Sequence, residues 1–267
     1  MTESVPADVS IDTAIAALAA ADRLLVCCDF DGTLSVLADE PSAARPVDGA
    51  VAVLDALARL PDTWAAIVSG RSLIDLTLLS GMPPRVHLVG SHGTEFEVGK
   101  ILAVSPGDSA LIEQLAAQCR LIIAGVAGTE LEIKPASVAV HFRRASRSDA
   151  ARIQASVIKG PGSLPGVHVI EGKEVIELAV FLGTKADGLR QLQSRWAITA
   201  TLFAGDDATD EAAFAALQQG DVGVKVGPEP SAAEWRLSDP AAVVDVLERL
   251  HVLRQSRSEP LAPTSPS

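Results

Sequence analysis

The chain has no tyrosine, three tryptophans and three cysteines in 267 residues, and its 22 Lys and Arg are outnumbered by 34 Asp and Glu. Each shortage excludes something. The three tryptophans are scattered and offer no aromatic platform. The cysteines, adjacent at Cys27 and Cys28 with a third at Cys119, have neither metal-ligand spacing nor a plausible disulfide framework. That is the pattern of a reducing compartment, so a cytoplasmic location is expected. A formal charge of -12 leaves little basic surface for a phosphate backbone, and no nucleic-acid partner is expected. An anionic ligand would need local positive charge or a metal ion. No apolar run approaches the ~18 to 20 residues that span a bilayer, and the opening MTESVPADVS has no basic region. Neither a membrane partner nor a cleaved leader is expected.

What is present is a chain with 48% hydrophobic residues, ample for a packed core. LLVCC, TWAAIV, VHLVG, TLFAG and DVGVKVG read as buried strands. Between or around them lie an alanine-rich helix near 11 to 21, helices from Pro46 and from Arg71, ATDEAAFAALQQG, and a helix opened by Asp239 and Pro240. Buried strands alternating with helices predict an α/β fold, a doubly wound, Rossmann-like parallel sheet. The middle of the chain has two candidate helices and strands that alternate polar with apolar residues. It predicts an inserted α+β cap domain at 105–182, with 1–104 and 183–256 forming the core. The Ser- and Pro-rich end, 257–267, is expected to be disordered.

In parallel sheets, ligands bind beyond the carboxyl ends of the strands. Three polar clusters fall there: Asp29 and Asp31; Ser69, Gly70 and Arg71; and Gly205, Asp206 and Asp207 with Asp210 and Glu211. Several carboxylates in one small volume repel one another unless a cation joins them, and Mg²⁺ takes carboxylates, waters and a substrate phosphate. The spacing of Asp29, Asp31, Thr33 and Glu40 also suits a calcium loop, but Leu34 occupies the position where that loop needs glycine.

DFDGTL, SGR, Lys185 and GDDATDE together resemble the four motifs of the haloacid dehalogenase-like (HAD) phosphatases, and DFDGTL with GDDATDE most resembles the trehalose-6-phosphate phosphatases. The resemblance implies a Mg²⁺-dependent hydrolase that converts trehalose 6-phosphate to trehalose and phosphate through an aspartyl-phosphate. It makes Asp29 the nucleophile and Asp31 the general acid and base, with its backbone carbonyl on the metal. It makes Asp206 a direct metal ligand, with Asp207 or Asp210 holding metal-bound water. Ser69 and Lys185 would hold the phosphoryl oxygens, with Gly70 and Arg71 beside them on the substrate. Ala186 follows Lys185 where the family usually has glycine.

Strand alternation in the insert puts Glu132 and Lys134 on one face, His141 with Arg143 opposite Val138 and Val140, and Lys173 with Glu177 opposite Ile176 and Leu178. Pattern alone reads this as a solvated sheet face. The family carries the same Glu-x-Lys, His-x-Arg and Lys-x-x-x-Glu spacings on its cap, and the resemblance implies that these six residues read the sugar. Ala179 and Val180 stand where the family usually has arginine and proline, which keeps open a phosphatase for another glycosyl phosphate, such as sucrose 6-phosphate or glucosyl- or mannosyl-phosphoglycerate. A non-catalytic metal- or phosphate-binding regulator is the alternative of another class. The resemblance also implies a functional link to a trehalose-6-phosphate synthase. His92, in the glycine-rich turn GSHGTEFEVG, reads first as a turn residue, with contact to substrate as the alternative.

Overall fold

The computed structural model describes residues 10–38, 40–97, 100–101, 106–134, 136–172, 174–181 and 183–258. Lys173, expected among the sugar contacts, lies outside the described residues. The chain divides into two compact units, one comprising residues up to 96 together with those from 183, the other 97–182.

The first unit is built on β1 (Leu24–Cys28), β2 (Thr63–Val68) and β3 (Val86–Val89). The short strands β4 (Glu95–Glu97) and β5 (Lys100–Ile101) pair with each other. In the second unit lie β6 (Glu130–Lys134), β7 (Ser137–His141), β8 (His168–Gly172) and β9 (Val175–Ala179). The chain then returns to the first unit with β10 (Ala200–Gly205), β11 (Val222–Val226) and β12 (Trp235–Leu237). The six-stranded sheet has the order β12-β11-β10-β1-β2-β3, and every neighbouring pair in it is parallel.

Alternation along β1 feeds two cores, because successive side chains point to opposite faces. Leu24, Val26 and Cys28 pack with Ile15, Leu54 and Leu247, which come from α1 (Ile11–Ala20), α2 (Ala50–Leu57) and α8 (Pro240–Ser258). Leu25 and Cys27 pack with Leu189, Leu192 and Phe214, from α6 (Lys185–Arg195) and α7 (Glu211–Ala216). A doubly wound parallel sheet is therefore what the continuous apolar strands make.

Helix starts follow local chemistry. Ser10 accepts a hydrogen bond from Thr13 N and caps α1. The helix expected from Pro46 begins instead at Ala50, because Pro46 bridges to Ser35 and Gly49 adopts a left-handed φ of 86°. The helix expected from Arg71 is α3 (Leu73–Ser80), whose cap is Ser72. At the far end α8 runs through Ser258, two residues into the stretch expected to be disordered; the residues after it lie outside those described. No helix among the described residues is long and apolar enough to cross a membrane.

The second unit is an antiparallel sheet of order β6-β7-β9-β8. On one face, Val138, Val140, Ile176 and Leu178 pack with Leu115, Cys119, Ile153 and Val157 of α4 (Pro106–Ile123) and α5 (Arg147–Lys159). This α+β unit has its own core. Glu174 sits in the β8–β9 turn with φ 62°.

Candidate active site

β1 lies inside the sheet, with β10 on one side and β2 on the other, so the order in which strands are added reverses there while all stay parallel. This is the switch point at which open α/β sheets bind ligands. Cys28 lies opposite Ala204 in the register, and Asp29 N donates to the Ala204 carbonyl at 2.8 Å. Asp29 and Asp206 thus leave adjacent strands at nearly the same height. The carboxylates of Asp29, Asp206 and Asp210 each offer an oxygen within 4.8 Å of the others.

Glycine makes that convergence possible. A Cβ at Gly32, whose φ is +74°, would lie 1.9 Å from Asp206 Oδ2, and one at Gly205 would lie 2.3 Å from Asp210 Cγ. Neither position has room for a side chain.

Lys185, the first residue of α6, is aimed into this group by a capping box in which Thr184 and Asp187 satisfy each other's amides. Its buried ammonium lies 2.9 Å from Asp29 Oδ1 and 2.8 Å from Asp210 Oδ1. The other Asp210 oxygen accepts from the amides of Asp206 and Asp207, both at 3.0 Å. Asp210 therefore shapes the loop that carries Asp206. Asp207 turns aside: its Oδ1 accepts from Thr209 N at 2.8 Å and Thr209 Oγ1 at 2.7 Å, and stands 3.8 Å from Lys185. Lys225, buried in β11, donates to the Asp206 carbonyl. A lysine inside an otherwise apolar strand was the sequence signal for this contact.

Burial and mutual repulsion dominate the electrostatics. Burial pushes Asp29 up to about 7, against the pull of Lys185. Burial, followed by the charge of Asp29, puts Asp210 at about 7, and burial with the charge of Asp210 puts Asp206 at about 6. Burial opposes the charge on Lys185, but Asp29 and Asp210 together outweigh it and raise its affinity for the proton. One ammonium for three carboxylates leaves room for more positive charge. An all-oxygen donor set suits a hard divalent cation.

Asp31 follows Asp29 by two residues but does not join the cluster. Arg71 grips it in bidentate fashion, Nε to Oδ2 and Nη2 to Oδ1, each at 2.6 Å. The buried Ser69 hydroxyl accepts from Arg71 N at 3.2 Å. These groups line one pocket of about 530 Å³ with Gly70, Leu37, Asp207, Thr209 and His92. A Cβ at Gly70 would lie 2.7 Å from His92 Cε1, so the glycine makes space for the imidazole.

In the second unit, Glu132, Lys134, His141 and Glu177 meet on one sheet face through an ion pair and hydrogen bonds. Lys134 Nζ lies 3.2 Å from both Glu177 oxygens, Ser137 donates to Glu177, and His141 Nε2 is 2.9 Å from Glu132 Oε2. Arg143 lies beyond the end of its strand. β7 ends at His141, so alternation does not assign its face. Its side chain is 84% exposed and 3.5 Å from Glu174, and it shares a pocket of about 470 Å³ with Glu132 and His141. The tryptophans that looked scattered are partly joined: Trp64 and Trp196 stack at 5.7 Å. Neither lines the pocket around Asp29.

Residues 27–241 match the family model described as trehalose-phosphatase. A trehalose-phosphate phosphatase of Mycobacterium ulcerans is 37% identical over 243 residues, covering 85% of this chain and 61% of that protein. A trehalose-6-phosphate phosphatase of Escherichia coli is 31% identical over 236 residues, covering 86% of this chain and 88% of the other. The chain thus spans about three fifths of the Mycobacterium ulcerans relative and most of the Escherichia coli one. Among solved structures, trehalose-6-phosphate phosphatase of Aspergillus fumigatus superposes with a TM-score of 0.63 at 25% identity, covering 93% of this chain and 99% of that one.

Proposed function

The chain belongs to the trehalose-phosphatase family, and from that premise we propose that it hydrolyses the phosphate ester of trehalose 6-phosphate, releasing trehalose and phosphate. One observation carries the reading: a buried carboxylate at the end of the central strand, Asp29, faces an open pocket with Lys185 Nζ 2.9 Å from its oxygen.

Asp29 attacks phosphorus, and the bond to the sugar oxygen breaks as the aspartyl-phosphate forms. Splitting the hydrolysis this way replaces one hard step with two easier ones. Lys185 and the Ser69 hydroxyl hold the phosphoryl oxygens as charge redistributes. Asp31 protonates the departing sugar oxygen, then takes a proton from the water that opens the aspartyl-phosphate. Arg71 now occupies both Asp31 oxygens. That grip competes with transfer of a proton to the sugar oxygen, and the incoming phosphate dianion competes in turn for the guanidinium.

Mg²⁺ is the cofactor that the donor set supports; Asp29, Asp206 and the Asp31 main-chain carbonyl would hold it, with Asp210 and Asp207 fixing the loop around Asp206. When bound, it draws charge from the phosphoryl oxygens and relieves the repulsion among the carboxylates. The paired face of Glu132, Lys134, His141 and Glu177, with Arg143 and Lys173, is the proposed reader of the sugar hydroxyls, since carboxylates accept from hydroxyls and cations donate to them. Three free, buried cysteines support a cytoplasmic setting, and a trehalose-6-phosphate synthase would supply the substrate.

The test is phosphate release across a panel of sugar phosphates, with and without Mg²⁺. Trehalose 6-phosphate should be preferred, and chelation should stop turnover. Asp29→Asn keeps the shape and loses the nucleophile, so kcat should fall by at least ~10³-fold with an unchanged circular dichroism spectrum. Retention of more than about a tenth of the rate would remove Asp29 from its role.

A further inference from the structure

We infer that His92 is a specificity residue, whose imidazole, presented at the pocket rim by a strained turn, hydrogen-bonds the hydroxyls of the departing sugar. The inference rests on the phosphatase reading above.

Ser91 and His92 are successive non-glycine residues in the left-handed region, with φ 49° and 56°. Such backbone costs free energy and persists where surrounding contacts over-determine it, most often at working sites. Those contacts are present. Ser91 N donates to the Arg71 carbonyl at 2.7 Å and His92 N to the Ser69 carbonyl at 2.9 Å. The buried Glu95 carboxylate accepts from Ser91 Oγ at 3.0 Å and from Leu73 N at 2.8 Å, fixing the turn to the start of α3. On its other side a Cβ at Gly93 would lie 2.6 Å from the Thr184 carbonyl, immediately before Lys185. The turn is therefore clamped between the segment that carries Ser69 and the helix that carries Lys185.

A chain reversal alone would be better served at position 92 by glycine or asparagine, which tolerate positive φ. What histidine adds is its side chain, and that side chain lines the pocket. The ring lies over Gly70, where a Cβ would approach it to 2.7 Å. Asp29, Ser69 and Lys185 are buried at the floor, whereas His92 is exposed. A phosphoryl group seated on the floor points its alcohol toward the rim. An imidazole nitrogen can donate to or accept from a sugar hydroxyl.

The experiment compares wild type, His92→Gly and His92→Asn on trehalose 6-phosphate and on p-nitrophenyl phosphate, with thermal melts of each protein. His92→Gly relieves the backbone while deleting the ring. Its kcat/KM for trehalose 6-phosphate should fall ~10- to 100-fold, chiefly through KM. That loss should exceed the loss on the aryl ester by at least about tenfold, with a melting temperature no lower than wild type. His92→Asn, which tolerates the turn and keeps a donor and an acceptor, should recover part of the loss. Equal losses on both esters, no loss on either, or a loss that tracks a falling melting temperature would overturn the inference. Failure of the phosphatase reading is distinguishable, because then wild type itself releases no phosphate from sugar phosphates. Should wild type prefer another sugar phosphate, the same ratio is measured on that ester.

Discussion

At the scale of single residues, the three crowded carboxylates make a definite statement about pH. Asp29, Asp206 and Asp210 stand at about 7, 6 and 7 in the fold, well above the ~4 of an unfolded aspartate. The folded state therefore binds more protons between those limits, so the stabilisation is complete below about pH 4 and is lost as pH rises through 6 to 7. Metal-stripped protein should melt at a higher temperature at about pH 5 than at about pH 8. Adding Mg²⁺ at the higher pH should raise the melting temperature, because a ligand of the folded form stabilises it. Lys185→Ala leaves Asp29 and Asp210 buried without their cation. It should cost about 3 to 5 kcal/mol at pH 8 and less at pH 5, where the carboxylates protonate, as read by denaturant unfolding. Which residues would cluster was largely legible in the sequence, because aspartates interrupting apolar strand ends are anomalous. Their partners were not legible. No local pattern says that Arg71 holds Asp31, or that Asp210 spends both oxygens on Lys185 and two amides, since these contacts exist once the strands are side by side.

At the scale of elements, α6 shows how a helix start places the ammonium proposed to hold the phosphoryl group. The Thr184–Asp187 capping box fixes the first turn, and Lys185 takes its direction from that turn. Asp187→Ala should cost about 1 kcal/mol of stability and lower kcat by more than that stability loss explains, because the ammonium is no longer aimed. Gly188 tests the same element from its other face. Propensity alone says that alanine there should stabilise the helix by about 1 kcal/mol. A Cβ at 188, however, would sit 2.7 Å from Gly93 Cα, so Gly188→Ala should destabilise the protein and disturb the turn that carries His92; calorimetry and the two-ester ratio would record both. The resemblance singled out Lys185, but the sequence could not show why glycine occupies the interior of its helix. Likewise the alternation that placed Glu132 and Glu177 correctly on one face ran past its domain at Arg143, because the strand ended two residues earlier.

At the scale of the whole chain, the protein comprises two units with separate hydrophobic cores. The proposal assigns chemistry to the first and recognition to the second, so damage to the second should be selective. Ile176, fully buried in the second core, should cost about 2 to 5 kcal/mol when replaced by alanine. Hydrogen exchange should localise the loosening to 106–181, and turnover of trehalose 6-phosphate should suffer more than that of an aryl phosphate. The two-part organisation was legible because the hydrophobic period changes along the chain, from solid apolar strands to alternating ones. The exact helix starts were not, since caps and turns depended on remote partners such as Ser35 against Pro46. Gly32 carries the consequence furthest. Its missing side chain is the space that the Asp206 carboxylate fills from a strand far along the chain. A duplicated gene drifting free of selection for hydrolysis could therefore lose either position and then keep the other by accident alone. A paralogue with a bulky residue at 32 is therefore expected to lack the approach of Asp206 to Asp29 on which the proposed hydrolysis rests.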